Sequence, residues 1–258
     1  MPDFDTVLDN MERRKAKREN RKGPKYTVRA LIVLLVLGVL YAFSFTSIFT
    51  VTSIEVYGNS FYTDEQVANI AHAETGVNIF HKANTARMKK YLEDDPYITE
   101  AKVSKSFPDK IVITIKERRQ VGAVVYGDEY LIIDIEGYLI RRTRTQPKIT
   151  IIRGLRVNSI VEGERLGTTD PEMFQDALDI IAAMEAGDVY FMELEMSELT
   201  VRAHIYDALI CVGSADQIVY AIEQKHLQQI LETLFSRGIK RGTINITDEG
   251  FASFSPVV

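Results

Sequence analysis

Three hydrophobic patterns follow one another along the chain. Residues 30–51 run without a charge or a proline. At about 1.5 Å of rise per residue, such a run can cross a hydrocarbon layer of about 30 Å, so a transmembrane helix is expected there. Beyond it the period changes. Ser53–Tyr57 alternates polar and apolar residues as a half-buried strand does, and Gly58-Asn59 supplies a turn. Thr63-Asp64-Glu65-Gln66 fits a capping box ahead of Val67, Ile70 and Ala71 on one helical face. Gly76 to Phe80 interrupts that helix. Asn84 then opens a second one with the stripe Met88, Tyr91 and Leu92, closed by Pro96. Two strands follow, residues 101–106 and 110–117, around Phe107-Pro108-Asp109; in the second, Ile111, Ile113 and Ile115 alternate with Val112, Thr114 and Lys116. The order is β-α-α-β-β.

The remainder reads as strands with two helices between them. Residues 130–134 and 136–140 form a hairpin pattern. Pro171 suits the first turn of a helix that places Phe174, Leu178, Ile181 and Met184 on one face, with Gly187 at its end. Residues 189–196, 199–205 and 208–212 make a three-strand meander. Ser214-Ala215-Asp216-Gln217 is a second capping box, opening one long helix to Arg237 through Ile218, Ile222, Leu227, Ile230, Leu231 and Leu234, with Gly238 after it. Residues 243–246 and 251–254 finish the chain as strands around Asp248-Glu249-Gly250. The fold class is α+β: one N-terminal transmembrane helix, a β-α-α-β-β unit, then a mixed or antiparallel β domain with two helices.

Charge gives the span a direction. Within residues 1–29, Arg13, Arg14, Lys15, Lys17, Arg18, Arg21, Lys22, Lys25 and Arg29 outnumber Asp3, Asp5, Asp9, Glu12 and Glu19, although the whole chain is at -5. Basic flanks stay in the cytoplasm, so the N-terminus is expected inside and everything after residue 51 outside the membrane. A cleaved signal peptide fits less well, because the apolar run is too long and no small-residue cleavage site follows. The basic run lacks the interleaved aromatics of a nucleic-acid site, and orientation already accounts for it. With 46% hydrophobic residues the chain has material for a packed core. Its single Cys211 closes no internal disulfide and cannot build a multi-thiolate metal module.

Catalytic constellations are not evident. His72, His81, His204 and His226 stand apart without metal-ligand spacing, and no phosphate-binding loop or nucleophile elbow occurs. Glu193, Glu195 and Glu198 invite a glycosidase reading, yet Glu193 and Glu195 alternate with Leu194 and Met196 as a solvated strand face does. Ser104-Lys105 is the sharpest peptidase pair. Neighbours on a strand point to opposite faces, so that lysine cannot deprotonate that serine. The expectation is a non-enzyme without cofactor or metal, with a membrane-anchored envelope hydrolase as the alternative.

Ile54-Glu55-Val56-Tyr57-Gly58-Asn59, Gly76-Val77-Asn78-Ile79-Phe80, Phe107-Pro108 and Glu117-Arg118, in this order behind an anchor, resemble the bacterial cell-division family FtsQ/DivIB. Asp134, Gly137, residues 149–155 and residues 163–166 continue the match. Gln120 and Gly122 depart from it, standing where the family tends to have Pro and Ala. The resemblance implies a cytoplasmic tail at 1–29, a transmembrane helix at 30–51, a POTRA domain at 53–120 and an FtsQ-type β domain at 121–258. It implies a scaffold that gathers division proteins at the septum outside the membrane. Partners would be small bitopic proteins of the FtsB/DivIC and FtsL types, with a septal peptidoglycan synthase as a further candidate and no nucleic acid. It also implies that the third POTRA strand is central and the second an edge, where Lys102, Ser104 and Lys105 would dock another division protein. The C-terminal strand, Gly250, Phe251, Ala252, Ser253 and Phe254, is expected to receive a partner strand, with Phe251 and Ser253 on one face and Ala252 and Phe254 on the other. Lys225 and Arg237 are expected to add a basic contact surface on the long helix.

Overall fold

The computed structural model describes residues 11–13, 23–247 and 251–256. Most of the basic tail, and Gly250 with its turn, lie outside the described residues. Helix α1 spans Gly23–Phe43, earlier than the apolar run alone suggests. Beyond Phe43 the hydroxyls of Ser44 and Thr46 bond back to the carbonyls of Tyr41 and Phe43 at 2.7 and 2.8 Å. Such bonds compete with the helical ladder, and only a 3-10 turn, Ser47–Phe49, follows.

Next come β1 (Ser53–Tyr57), α2 (Asp64–Ile70), α3 (Thr85–Glu93), β2 (Ile98–Ser106) and β3 (Lys110–Glu117), as the pattern predicts, although β2 starts earlier than expected. The sheet order is β1-β3-β2, so β3 is central and β2 an edge. Ile111, Ile113 and Ile115 are buried on one face of β3, while Thr114 and Lys116 are exposed. Both halves of the Thr63–Gln66 capping box form, and such a cap contributes about 1 kcal/mol. Tyr91 of the predicted α3 stripe is exposed, leaving Met88 and Leu92 to anchor that helix.

Two compact units account for the described chain. One holds the described residues up to Glu55 with Ala73–Thr85 and Val103–Ile113; the other holds Val56–His72, Ala86–Lys102 and the rest from Thr114. In the second, the Glu117 carboxylate accepts the N–H groups of Ser60, Phe61 and Tyr62 at 2.8, 2.6 and 3.0 Å, fixing the loop before α2.

The larger sheet has, among the described residues, nine strands in the order β14-β13-β12-β11-β10-β7-β4-β5-β6. They are β4 (Gly122–Tyr126), β5 (Glu129–Ile133), β6 (Leu139–Thr143), β7 (Thr150–Arg153), β10 (Glu193–Met196), β11 (Val201–Tyr206), β12 (Leu209–Gly213), β13 (Gly242–Ile246) and β14 (Ala252–Ser255). A small pair, β8 (Val157–Ser159) and β9 (Gly167–Thr168), stands apart. Strand β4 is not among the elements predicted from the pattern, although the apolar run from Val121 to Tyr126 announces it. Parallel pairing needs a crossover. The parallel pairs β7–β10 and β12–β13 are connected by helices, α4 (Pro171–Gly187) for the first and α5 (Ala215–Glu223) with α6 (His226–Ser236) for the second. These helices cover one face, where Phe174, Phe191, Leu194, Cys211, Ile222 and Leu231 belong to a single core. A fully buried Phe contributes about 1.5–3 kcal/mol.

One helix ends as expected and another does not. Gly187 is the last helical residue, and Asp188 takes the left-handed conformation (φ 53°). A Cβ on Gly187 would lie 2.3 Å from Ile222 Cγ2, so the glycine serves the close approach of α4 and α5. The predicted long helix is broken at Lys225, which has φ 62°. The apolar spacing explains the break: at 100° per residue, Leu227 would lie well off the face shared by Ile218 and Ile222 in a continuous helix. Gln228 stabilises the break, its Nε2 donating to the carbonyls of Gly187 and Ile222 at 2.9 Å each.

Burial alone pushes the Cys211 thiol up to about 12. A thiol kept neutral and covered is unreactive. Native protein at neutral pH is expected to leave Cys211 unmodified by maleimide, and denaturant to expose it; mass spectrometry showing rapid native labelling would contradict this burial.

Candidate functional site

Strand β14 is the last in the large sheet. It pairs antiparallel with β13 in the register Ile246↔Ala252, Asn245↔Ser253, Ile244↔Phe254 and Thr243↔Ser255. The Thr247 N–H donates to the Phe251 carbonyl at 3.0 Å, which sets the phase of the ladder. Hydrogen-bonded pairs alternate, so Ser253 and Ser255 bond inward and the main-chain groups of Ala252 and Phe254 point to the open edge. Ala252 and Phe254 also pack against the core under the helices. Phe254 determines residue 242: a Cβ on Gly242 (φ +139°) would lie 2.3 Å from its ring.

Phe251 departs from the expected alternation. It precedes β14, is 56% exposed, and stacks on His226 of α6 at 4.9 Å. With Gln224, His226, Gln229, Ile230, Thr233 and Ala252 it lines a groove of about 410 Å³. Ala252, rather than Ser253, shares that groove, because pleat alternation governs residues only within the strand. Ser253 is exposed.

The two basic residues are not gathered there. Lys225 lines a different cavity with Gln228, Glu232 and Phe235, and Arg237 caps the far end of α6, roughly 16 Å of helix away from His226. On β2, Lys102 and Ser104 are exposed, and Lys105 on the opposite face is partly covered. That alternation keeps Ser104 and Lys105 apart.

The opposite edge of the large sheet is built differently. Strand β6 carries Arg141 and Arg142, and its pairing with β5 shifts register between Ile132 and Ile133. Charges and bulges blunt an edge against unwanted pairing. Strand β14, Ala-Ser-Phe-Ser, has neither.

On the uncovered sheet face, cross-strand register brings together residues that sequence spacing separates. Glu193, Glu195 and His204 place their ligand atoms within 4.8 Å of one another, a group able to hold a cation. Arg153 Nε already donates to Glu193 Oε1 at 2.8 Å, and His204 Nε2 lies 3.3 Å from Glu195 Oε1. The arrangement is a set of polar cross-strand pairs, Arg153 with Glu193 and His204 with Glu195, on neighbouring strands.

A second polar cluster is structural. Arg118, just beyond β3, forms a close ion pair with Asp134, and the two side chains are only 11% and 7% exposed. Asp134 Oδ1 also accepts the N–H groups of Glu136 and Tyr138 at 3.0 and 2.8 Å, and the Arg118 guanidinium lies 4.3 Å from the Tyr138 ring centre. Gln120, one of the departures from the family pattern, accepts from Arg141 at 3.2 Å.

Residues 49–118 match the family described as POTRA domain, FtsQ-type. Over 250 residues the chain is 26% identical to the cell division protein DivIB of Clostridium botulinum (strain Loch Maree / Type A3), covering 92% of each. It is 20% identical over 239 residues to DivIB of Bacillus subtilis (strain 168), covering 93% of this chain and 86% of that protein. A 25% identical match over 154 residues to the cell division protein FtsQ of Syntrophotalea carbinolica covers 59% of this chain and 52% of that protein. The family resemblance read from the motifs therefore holds: the chain carries an FtsQ-type POTRA domain and is similar to DivIB and FtsQ proteins over most of its length.

Proposed function

We propose that this chain, similar to the DivIB and FtsQ cell-division proteins, is a non-catalytic, single-pass scaffold of the bacterial division machinery. Its N-terminus lies in the cytoplasm, and the POTRA and β domains gather small bitopic proteins of the FtsB/DivIC and FtsL types at the septum, near septal cell-wall synthesis. The observation that carries the reading is the contrast between edges: β6 is charged and bulged, whereas β14 offers the outward main-chain groups of Ala252 and Phe254 beside a groove of mixed lining, with Ile230 and Phe251 among Gln224, His226, Gln229 and Thr233. Strand addition takes affinity from such groups and specificity from alternate side-chain pockets. The β2 edge, with Lys102 and Ser104 exposed, is the proposed second dock, for another division protein. An anchored envelope hydrolase is the alternative; its best candidate group is Glu193, Glu195 and His204, in which Glu193 is already paired with Arg153.

In cells carrying a fluorescent fusion, the full chain is expected to form septal rings, and depletion to give undivided filaments. Removing residues 53–120 while keeping the anchor is expected to abolish the rings. Normal division on depletion would overturn the scaffold role, and intact rings in the deletion would overturn recruitment through β2.

A further inference from the structure

We propose that the aromatic surface beside the end of α1, built from Phe45, Phe80 and Phe107, is a second membrane-contacting face that inserts into the interfacial zone of the lipid bilayer. The inference rests on the reading of α1 as a membrane anchor.

The apolar stretch of α1, Tyr26–Phe43, has a mean hydropathy of 2.1 and is not covered by the rest of the protein. Ser44 follows it directly, and two loop residues grip Ser44. Asn78 Nδ2 donates to the Ser44 carbonyl at 2.8 Å, and His81 Nε2 lies 2.9 Å from the Ser44 hydroxyl. The Ile79 N–H adds a bond to the Phe49 carbonyl at 2.8 Å, and Asn78 forms a β-bridge with Thr50. Main-chain polar groups in hydrocarbon need internal partners, so an apolar helix gives way to such loops at the bilayer boundary. The loop around Asn78 and His81 is therefore held at the level where α1 leaves the hydrocarbon.

A continuous run of rings stands at that level. Phe45 stacks on His81 at 4.1 Å, Phe49 meets Phe80 at 4.9 Å, and Phe80 stacks on Phe107 at 5.0 Å. Phe45, Phe80 and Phe107 nevertheless remain 56%, 43% and 57% exposed. Exposed contiguous apolar surface marks an interaction face, and membrane boundaries are where aromatic side chains concentrate. The bilayer is the occupant because the patch is continuous with α1 and tied to it by hydrogen bonds to Ser44. The consequence is an anchor with two points, a helix through the membrane and a ring cluster on it, which limits the tilting of the attached residues relative to the lipid surface.

The chain contains no tryptophan, so single reporters can be read in the full-length protein. Phe107→Trp, Phe80→Trp, Leu35→Trp within α1 and Leu199→Trp on an exposed turn would each be reconstituted in phosphatidylethanolamine–phosphatidylglycerol vesicles. The vesicles would carry brominated acyl chains, with bromine placed shallow or deep. Shallow bromine is expected to quench Phe107→Trp and Phe80→Trp at least about twofold and to leave Leu199→Trp unchanged, while deep bromine quenches Leu35→Trp. Two reporters on the patch guard against one variant that packs poorly. Water-like, unquenched emission from both, with Leu35→Trp quenched, would overturn the inference and leave the anchor reading intact. An unquenched Leu35→Trp would overturn the anchor reading and this inference with it.

Discussion

Replacing Ala252 by proline is expected to weaken capture of the proposed small bitopic division partner by at least about tenfold while leaving the fold intact. The hydrogen-bond phase of β14 selects this position. The Ala252 N–H points to the open edge, so proline removes a donor offered to the partner and puts its ring in the path of an added strand. Proline at Ser253 would act differently, because the Ser253 N–H belongs to the ladder with Asn245, and loss of binding would then be inseparable from loss of β14 itself. Phe251→Ala is expected to have a smaller effect, since it removes one wall of the groove beside His226 but no main-chain bond. Calorimetry of the detergent-solubilised full chain against the partner's extended segment would measure both. An Ala252→Pro protein with an unchanged melting curve and undiminished affinity would rule out strand addition at this edge.

Asp134→Ala is expected to lower stability by about 3–5 kcal/mol, the largest single effect anticipated outside the apolar core. Truncation leaves the Arg118 guanidinium covered and without its main partner; the other carboxylate near it, Glu136, is 4.0 Å away and exposed. It also removes the acceptor of the Glu136 and Tyr138 N–H groups, which shapes the turn between β5 and β6. Asp134→Asn keeps an acceptor for those groups and loses only the charge, so about half the penalty is expected. Chemical denaturation of the solubilised chain would decide it: a loss below about 1 kcal/mol for Asp134→Ala would mean the ion pair barely offsets its own desolvation.

Much of this molecule is legible in its sequence because the interactions responsible are local. The capping boxes at Thr63 and Ser214 involve groups three residues apart, and both form as read. The alternation of Ile111, Ile113 and Ile115 needs only the pleat of a single strand. The apolar run reads as a lone helix because a helix satisfies its own backbone groups without outside partners, and α1 forms over most of it. The β-α-α-β-β order and the family resemblance rest on the same short motifs.

Features that the sequence leaves open depend on partners far along the chain. The break at Lys225 is present as an irregular step between Ile222 and Leu227, but a run of helix formers masks such a step until a core exists to demand Leu227. Gly187 reads as a helix stop, and only the approach of Ile222 shows it to be a contact. Glu193 and Glu195 share a strand face by their spacing, but only the pairing of β10 with β11 brings His204 to them. Most consequential is β14. Its composition is plain in the sequence, but whether Ala252 or Ser253 offers its N–H to a partner depends on the pairing phase with β13, and periodicity within one strand cannot carry that information. Local hydrogen bonding and burial patterns determine the elements. Register, edge and the surface left for a partner are decided by contacts between distant segments, whose free energies become comparable only when the whole sheet is assembled.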